Sequence, residues 1–191
     1  MSVKDLIKQS RSYRSFDPCA PITRQQLIDF VECARFSPSS RTLQALKFRL
    51  VTNADECSAV LSHTRWAGLL ADLKIPPKGH EPTAYIVICI DRSITESIAM
   101  FQRDVGICAQ SILLAATEAG FGGCMIGSFA ADGVQRTLEL PEHLSPQLVI
   151  GLGKPDETVE LIDMPQNGSV AYYRENGVHF VPKRPLKDWI I

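Results

Sequence analysis

The longest apolar stretch of the chain is Val105 to Ser128, VGICAQSILLAATEAGFGGCMIGS. From Val105 to Ala119, the residues Val105, Ile107, Cys108, Ala109, Ile112, Leu113, Leu114, Ala115 and Ala116 fall on nearly every side of a 3.6-residue period. A helix apolar on all sides must be covered on all sides. Gln110, Ser111, Thr117 and Glu118 interrupt the run too often for a membrane span, which needs about 20 apolar residues. The pattern therefore predicts the central helix of a protein core, with a surface that two subunits can share. Gly120 takes the place of a left-handed cap. Gly122-Gly123 followed by Cys124 to Ser128 reads as a short buried strand opening into a glycine turn, where backbone amides can approach a flat ligand.

The same reading extends along the chain. Ser2 caps a first helix with Asp5 in its first turn and Leu6 and Ile7 inward. After Pro18 and Pro21, Thr23 and Gln26 form a capping box for a helix over Gln25 to Phe36, with Leu27, Ile28, Val31 and Ala34 toward the core. A strand follows over Phe48 to Thr52, and Asn53 starts a helix carried by Val60 and Leu61. Trp66, Leu69, Leu70 and Leu73 are spaced as helical packing residues, and Pro76-Pro77-Lys78-Gly79-His80 forms a turn or flap, read as a lid. Ala84 to Asp91 is a continuous apolar run of strand length, as expected for a strand covered on both faces. The central helix starts near Ser93 or Thr95, a short helix spans Gly133 to Leu140, and Leu148 to Gly153 is another buried strand. The tail from Glu157 has little helical pattern until Pro185. With no repeat and no linker, residues 1–191 read as one domain in which helices alternate with three or four short strands, α+β or α/β.

Composition narrows the chemistry. The 191 residues are 45% hydrophobic with a net charge of −1 and a pI near 6.4, so neither disorder nor a polyanion surface is indicated, and nucleic acid and membrane are not expected partners. Cys19, Cys33, Cys57, Cys89, Cys108 and Cys124 lack metal-type spacing and read as reduced residues of a cytoplasmic protein, in keeping with an N-terminus that has no apolar signal region. The sequence holds no GxxxxGK[ST], GxGxxG, GxSxG or HExxH motif, which removes the P-loop, the standard dinucleotide fold, the hydrolase elbow and a zinc site. Ser10-Arg11-Ser12-Tyr13-Arg14-Ser15-Phe16 sets two arginines three apart among hydroxyls, which can hold a phosphate or form a solvated basic turn. Ser37 to Gln44 is a hydroxyl-rich connection between helix and strand.

Taken together, these segments resemble the FMN-dependent nitroreductase family. Arg11 to Asp17 is similar to its basic opening stretch, with Ser10 in place of the first arginine, and Ser37 to Leu46 is similar to its Pro-Ser-Ser-x-Asn-x-Gln-Pro-Trp loop. Asp104-Val105-Gly106, Gly120 to Ser128, Leu140-Pro141-Glu142, Ile150 to Pro155 and Lys183 to Leu186 resemble its later elements, in order over nearly the whole chain. The resemblance implies a nitroreductase-like α+β fold, a small mixed sheet surrounded by helices with a long buried central helix. It implies FMN, with Arg11, Ser12, Tyr13 and Arg14 at the phosphate and ribityl chain, joined by Lys183 or Arg184. Met125, Ile126, Gly127 and Ser128 lie along the flavin ring, with a backbone N–H near Gly127 or Ser128 directed at N5. Pro38, Ser39, Ser40, Thr42 and Gln44 complete the cofactor site, with the Pro38 to Ser40 stretch coming from the partner of a homodimer. The implied reaction is ping-pong hydride transfer from NADH or NADPH to a small-molecule acceptor such as a nitroaromatic or quinone, with no catalytic side chain. A flavin carrier or sensor, or a dehalogenase or flavin-breakdown chemistry, are the alternatives. Thr42 in place of the asparagine and Ala45-Leu46 in place of Pro-Trp are departures that bear on the ring contacts.

Overall fold

The computed structural model describes residues 1–70 and 73–191 and runs, in chain order, α1 (Val3–Gln9), β1 (Phe16–Asp17), α2 (Arg24–Arg35), β2 (Leu46–Val51), α3 (Ala54–Ser62), β3 (Ala84–Asp91), α4 (Ile98–Glu118), β4 (Gly122–Ile126), α5 (Ala131–Thr137), β5 (Leu144–Pro155), β6 (Thr158–Asp163), β7 (Tyr173–Glu175) and β8 (Val178–Lys183). The long strand β5 pairs with β3 along one edge and with β4 along the other, β1 pairs with its C-terminal end, and β2 pairs with the free side of β3. All these pairings are antiparallel. A second sheet, β6-β8-β7, pairs β6 with β8 in parallel and β7 with β8 antiparallel.

The period-2 alternation of β3 divides the core between the two faces of the main sheet. Ala84, Ile86 and Ile88 pack with Leu27, Phe30 and Ala34 of α2 and Val105, Ala109, Ile112 and Ala116 of α4. Tyr85, Val87 and Cys89 pack on the other face with Cys57 and Val60 of α3 and Val134 of α5. All eight residues of β3 are buried, as the apolar run predicts. Helix α4 spans 21 residues, and by length and composition it is long and apolar enough to cross a membrane, so the interruptions noted in the sequence do not exclude that. Here its buried stripe packs on α2 and the sheet, and the stripe includes the carboxylate of Asp104.

Several boundaries differ from the pattern reading. Helix α1 buries nothing, and Ile7 is 46% exposed, because the helix is held by its Ser2–Asp5 capping box rather than by an apolar face. In α2 the buried stripe is Leu27, Phe30 and Ala34, which turns Ile28 outward; the Thr23–Gln26 capping box is present. Helix α4 starts at Ile98, later than Ser93 or Thr95, because the Asp91 carboxylate accepts from the Ser93 N–H and closes a turn first. Segment 63–70 forms no α-helix: Leu69 is exposed, and Trp66 instead leans on Gly151 of β5. Residues 71 and 72 of that run lie outside the described residues. Helix α5 is shifted toward the N-terminus, β5 is twice the expected length, and the tail forms a sheet.

Candidate active site

The basic segment between α1 and β1 lies beside β4. Ser12 forms a parallel bridge with Gly123, and the Tyr13 N–H donates to the Gly123 carbonyl at 3.1 Å. The approach of Tyr13 requires glycine at 122, where a Cβ would stand 2.5 Å from the Tyr13 ring, while a Cβ on Gly123 would stand 2.5 Å from the Gly151 carbonyl oxygen of β5. Arg11 turns back to the last turn of α1, where Nη2 donates to the Ile7 carbonyl at 2.5 Å, and its Nε is buried without a partner among the described residues. Burial holds the Arg11 guanidinium below its ordinary pKa. Arg14 Nη1 donates to the Ser12 carbonyl at 3.1 Å and lies 3.3 Å from Nε2 of His179, while the guanidinium sits over the Tyr172 ring, 5.1 Å from its centroid. Among the described residues neither arginine makes an ion pair.

A carboxylate beside Arg14 is already engaged. Glu157 accepts from the Arg14 backbone N–H and forms an ion pair with Arg174. His179, 2% exposed, has its pKa pushed down to about 4, chiefly by burial and further by Arg14 and Arg174. The thiol of Cys124 is pushed up by burial, so the sulfur beside this cluster is a neutral core group.

Strand β4 leads from this cluster to the glycine turn. Met125 is half-buried, Ile126 is buried, and Gly127 and Ser128 are exposed. A Cβ on Gly127 would meet nothing within 4 Å, so the turn opens on free space. About 13 Å of strand separates Gly123 from Gly127 at 3.3 Å per residue. The turn is fixed from the other side by segment 63–65: the Arg65 N–H donates to the Ser128 carbonyl at 2.9 Å, and the Ala130 N–H to the His63 carbonyl at 2.8 Å.

Pro38, Ser39, Ser40, Thr42 and Gln44 stand elsewhere. Their loop is clamped on buried Asp104 of α4, which accepts from Ser39 Oγ at 3.0 Å, the Ser40 N–H at 2.8 Å and Ser40 Oγ at 2.6 Å. Beyond the clamp, Arg41, Thr42 and Gln44 adopt φ values of 53°, 56° and 50°, left-handed conformations that cost non-glycine residues of order 1–3 kcal/mol. The loop borders an apolar cavity of about 400 Å³ between α2, β2 and α4, walled by Ile28, Val31, Leu46, Phe48 and Leu50. Neither the basic segment nor the glycine turn lines that cavity.

Lys183 and Arg184 close β8. Lys183 borders a surface groove with Lys8, and Arg184 Nη1 lies 3.9 Å from Met164 Sδ. Four residues of strand, about 13 Å, separate Lys183 from His179. The tail thus meets Arg14 through His179 and Tyr172. Pattern reading gave no role to Asp104, Glu157, Tyr172, Arg174 or His179; of these, only Asp104 carries a signal, as a lone acid in an apolar helix, since the others join through tertiary pairing.

The profile of the Nitroreductase family matches residues 7–154. A protein of Methanothermobacter thermautotrophicus described as a putative NADH dehydrogenase/NAD(P)H nitroreductase is 28% identical over 163 residues, covering 82% of this chain and 79% of that protein. Among solved structures, the NADPH:FMN oxidoreductase of Vibrio harveyi complexed with NAD+ superposes with a TM-score of 0.65 at 27% identity, over 97% of this chain and 80% of that one. A nitroreductase family protein of Streptococcus pneumoniae gives a TM-score of 0.72 over 100% of this chain and 99% of that one, and at 17% identity it speaks to the fold alone.

Proposed function

The chain belongs to the nitroreductase family, and from that premise we propose that it is an FMN-dependent oxidoreductase that takes electrons from NADH or NADPH and delivers them to a small acceptor of the nitroaromatic or quinone kind. The observation that carries the reading is the Ser12–Gly123 bridge, because it ties a basic segment whose arginines make no ion pair among the described residues to one end of a strand whose other end is the open Gly127 turn. The residues fit an elongated ligand with an anionic end and a flat end. Arg14, Ser12 and Arg11 would hold the phosphate, with Tyr13 packed beneath by Gly122, and Lys183 or Arg184 adding positive charge from the tail. Met125 and Ile126 would form an apolar wall for the ring, and the Gly127 and Ser128 backbone would supply amide donors at its edge. FMN bound there supplies two-electron transfer between a nicotinamide and an acceptor.

The protein's own part is binding, orientation and exclusion of water. Within one chain the Ser39–Gln44 loop borders a different cavity from the basic segment, so the complete site is proposed to form in a homodimer, with Pro38, Ser39, Ser40, Thr42 and Gln44 entering from the partner. Donor and acceptor then use that site in turn. A reducing cytoplasm suits six unpaired cysteines. The test is the visible spectrum of the purified protein, or of protein supplied with FMN, followed by anaerobic addition of NADH or NADPH. A flavin band that bleaches is the expected result. Failure to retain FMN overturns the reading, and a yellow protein indifferent to both nucleotides makes it a carrier.

A further inference from the structure

We propose that the small C-terminal sheet is a clamp that aims Arg14 at its anion, with His179 and Tyr172 as positioning residues. The proposal rests on the FMN reading above and adds residues that the family profile, ending at residue 154, does not reach.

A guanidinium recognises a phosphate best when its plane is fixed beforehand, since an arginine otherwise gives up rotamer freedom on binding. Here the plane is fixed from two directions by β8 and the segment before β7. Nη1 is held at one edge by the Ser12 carbonyl and His179 Nε2, and one face rests on Tyr172, whose ring in turn packs on the His179 ring at 5.2 Å between centroids. Among the described residues Arg14 Nε and Nη2 donate to no oxygen or nitrogen, which leaves them to an anion. Because a guanidinium only donates, His179 Nε2 must be the acceptor, which requires a neutral ring with its proton on Nδ1. That Nδ1 is buried and has no partner among the described residues. A buried orphan donor is costly and calls for a reason; keeping Nε2 available to Arg14 supplies it. The depressed pKa of the ring agrees with this arrangement. Glu157, the carboxylate that would otherwise compete for Arg14, is drawn to Arg174.

The test compares FMN with riboflavin, which shares the ring and lacks the phosphate. Flavin is removed from the full-length protein, and both affinities are read by quenching of flavin fluorescence. In wild type FMN binds more tightly than riboflavin. His179→Ala lowers that preference on the order of tenfold, the scale of one charge-assisted hydrogen bond, His179→Gln, which keeps an acceptor, restores most of it, and in an Arg14→Ala background His179→Ala has no further effect. If His179→Ala does not fold, Tyr172→Leu reads the same ratio, with a loss of about fivefold expected from the cation–π contact. An unchanged preference in these variants, or equal weakening of FMN and riboflavin, overturns the clamp while leaving the flavin reading intact. A wild-type protein that binds flavin without preferring FMN removes the phosphate assignment and the clamp together.

Discussion

His179 couples a buried ring to proton concentration, and the sign follows from its surroundings. It faces Arg14 and Arg174, with Glu157 and Tyr172 packed at the same cluster, and its pKa stands at about 4 against an ordinary 6.5. A base whose pKa is lower in the folded state contributes its full stability above the unfolded value and loses it as the pH falls from about 6.5 to about 4. The loss is on the order of 3 kcal/mol. Denaturant unfolding of flavin-free protein at pH 7.5 and 4.5 should therefore show a fall in stability that His179→Gln reduces by about that amount; equal falls in the two proteins would remove His179 as the cause. At this scale the sequence was partly legible. Arg11 and Arg14 stand out because two cations three residues apart among serines are a local pattern. His179 does not, since a histidine in Val-His-Phe-Val acquires its meaning only when β8 pairs with β7 and meets a residue 165 positions away. Lys183 and Arg184 illustrate the converse: they are conspicuous as a basic pair, yet β8 carries them about 13 Å beyond His179.

Among the elements, β3 was legible because burial on both faces leaves a dense apolar record, and the Thr23–Gln26 box marked the start of α2; α4 was legible as a helix, but the all-round cover its apolar run suggested is not found within the chain, where one stripe is buried and Ile107 is exposed. Strand direction was not. A continuous apolar run reports that both faces are covered, and here the cover is two pairs of helices over an antiparallel sheet. Nor could composition show that α4 carries a carboxylate for a loop some 65 residues earlier. Asp104 holds Ser39 and Ser40 with three hydrogen bonds and so keeps the left-handed Arg41, Thr42 and Gln44 in place. Asp104→Ala should lower stability by roughly 3 kcal/mol, the scale set by hydrogen bonds to a charged group, and should speed tryptic cleavage after Arg41. A urea midpoint and a cleavage rate equal to those of wild type would show that the loop holds its shape unaided.

For the whole molecule the decisive geometric fact is separation. The residues that resemble the two halves of a flavin site lie in one chain but border different spaces, the basic segment and Gly127 turn along β4 and the Ser39–Gln44 loop at the α2–β2 cavity. Each chain also leaves apolar surface uncovered, with Ile107 of α4 41% exposed and Trp189 72% exposed. A twofold dimer offers a common account, because an isologous contact places each loop against the partner's glycine turn twice over. A site shared between subunits can be restored by mixing two different defective chains, which a self-sufficient monomer cannot do. Arg11→Ala/Arg14→Ala should remove the phosphate grip and Ser39→Ala/Ser40→Ala the loop contacts, leaving each protein with little flavin when made alone. Mixed by co-expression, half of the dimers are heterodimers, and each of these carries one site with both halves intact, so about a quarter of all sites should regain FMN and nicotinamide-dependent bleaching. Sedimentation at micromolar concentration should show the dimer throughout. Absence of any recovery in a demonstrated heterodimer would mean that each subunit builds its site from its own loop.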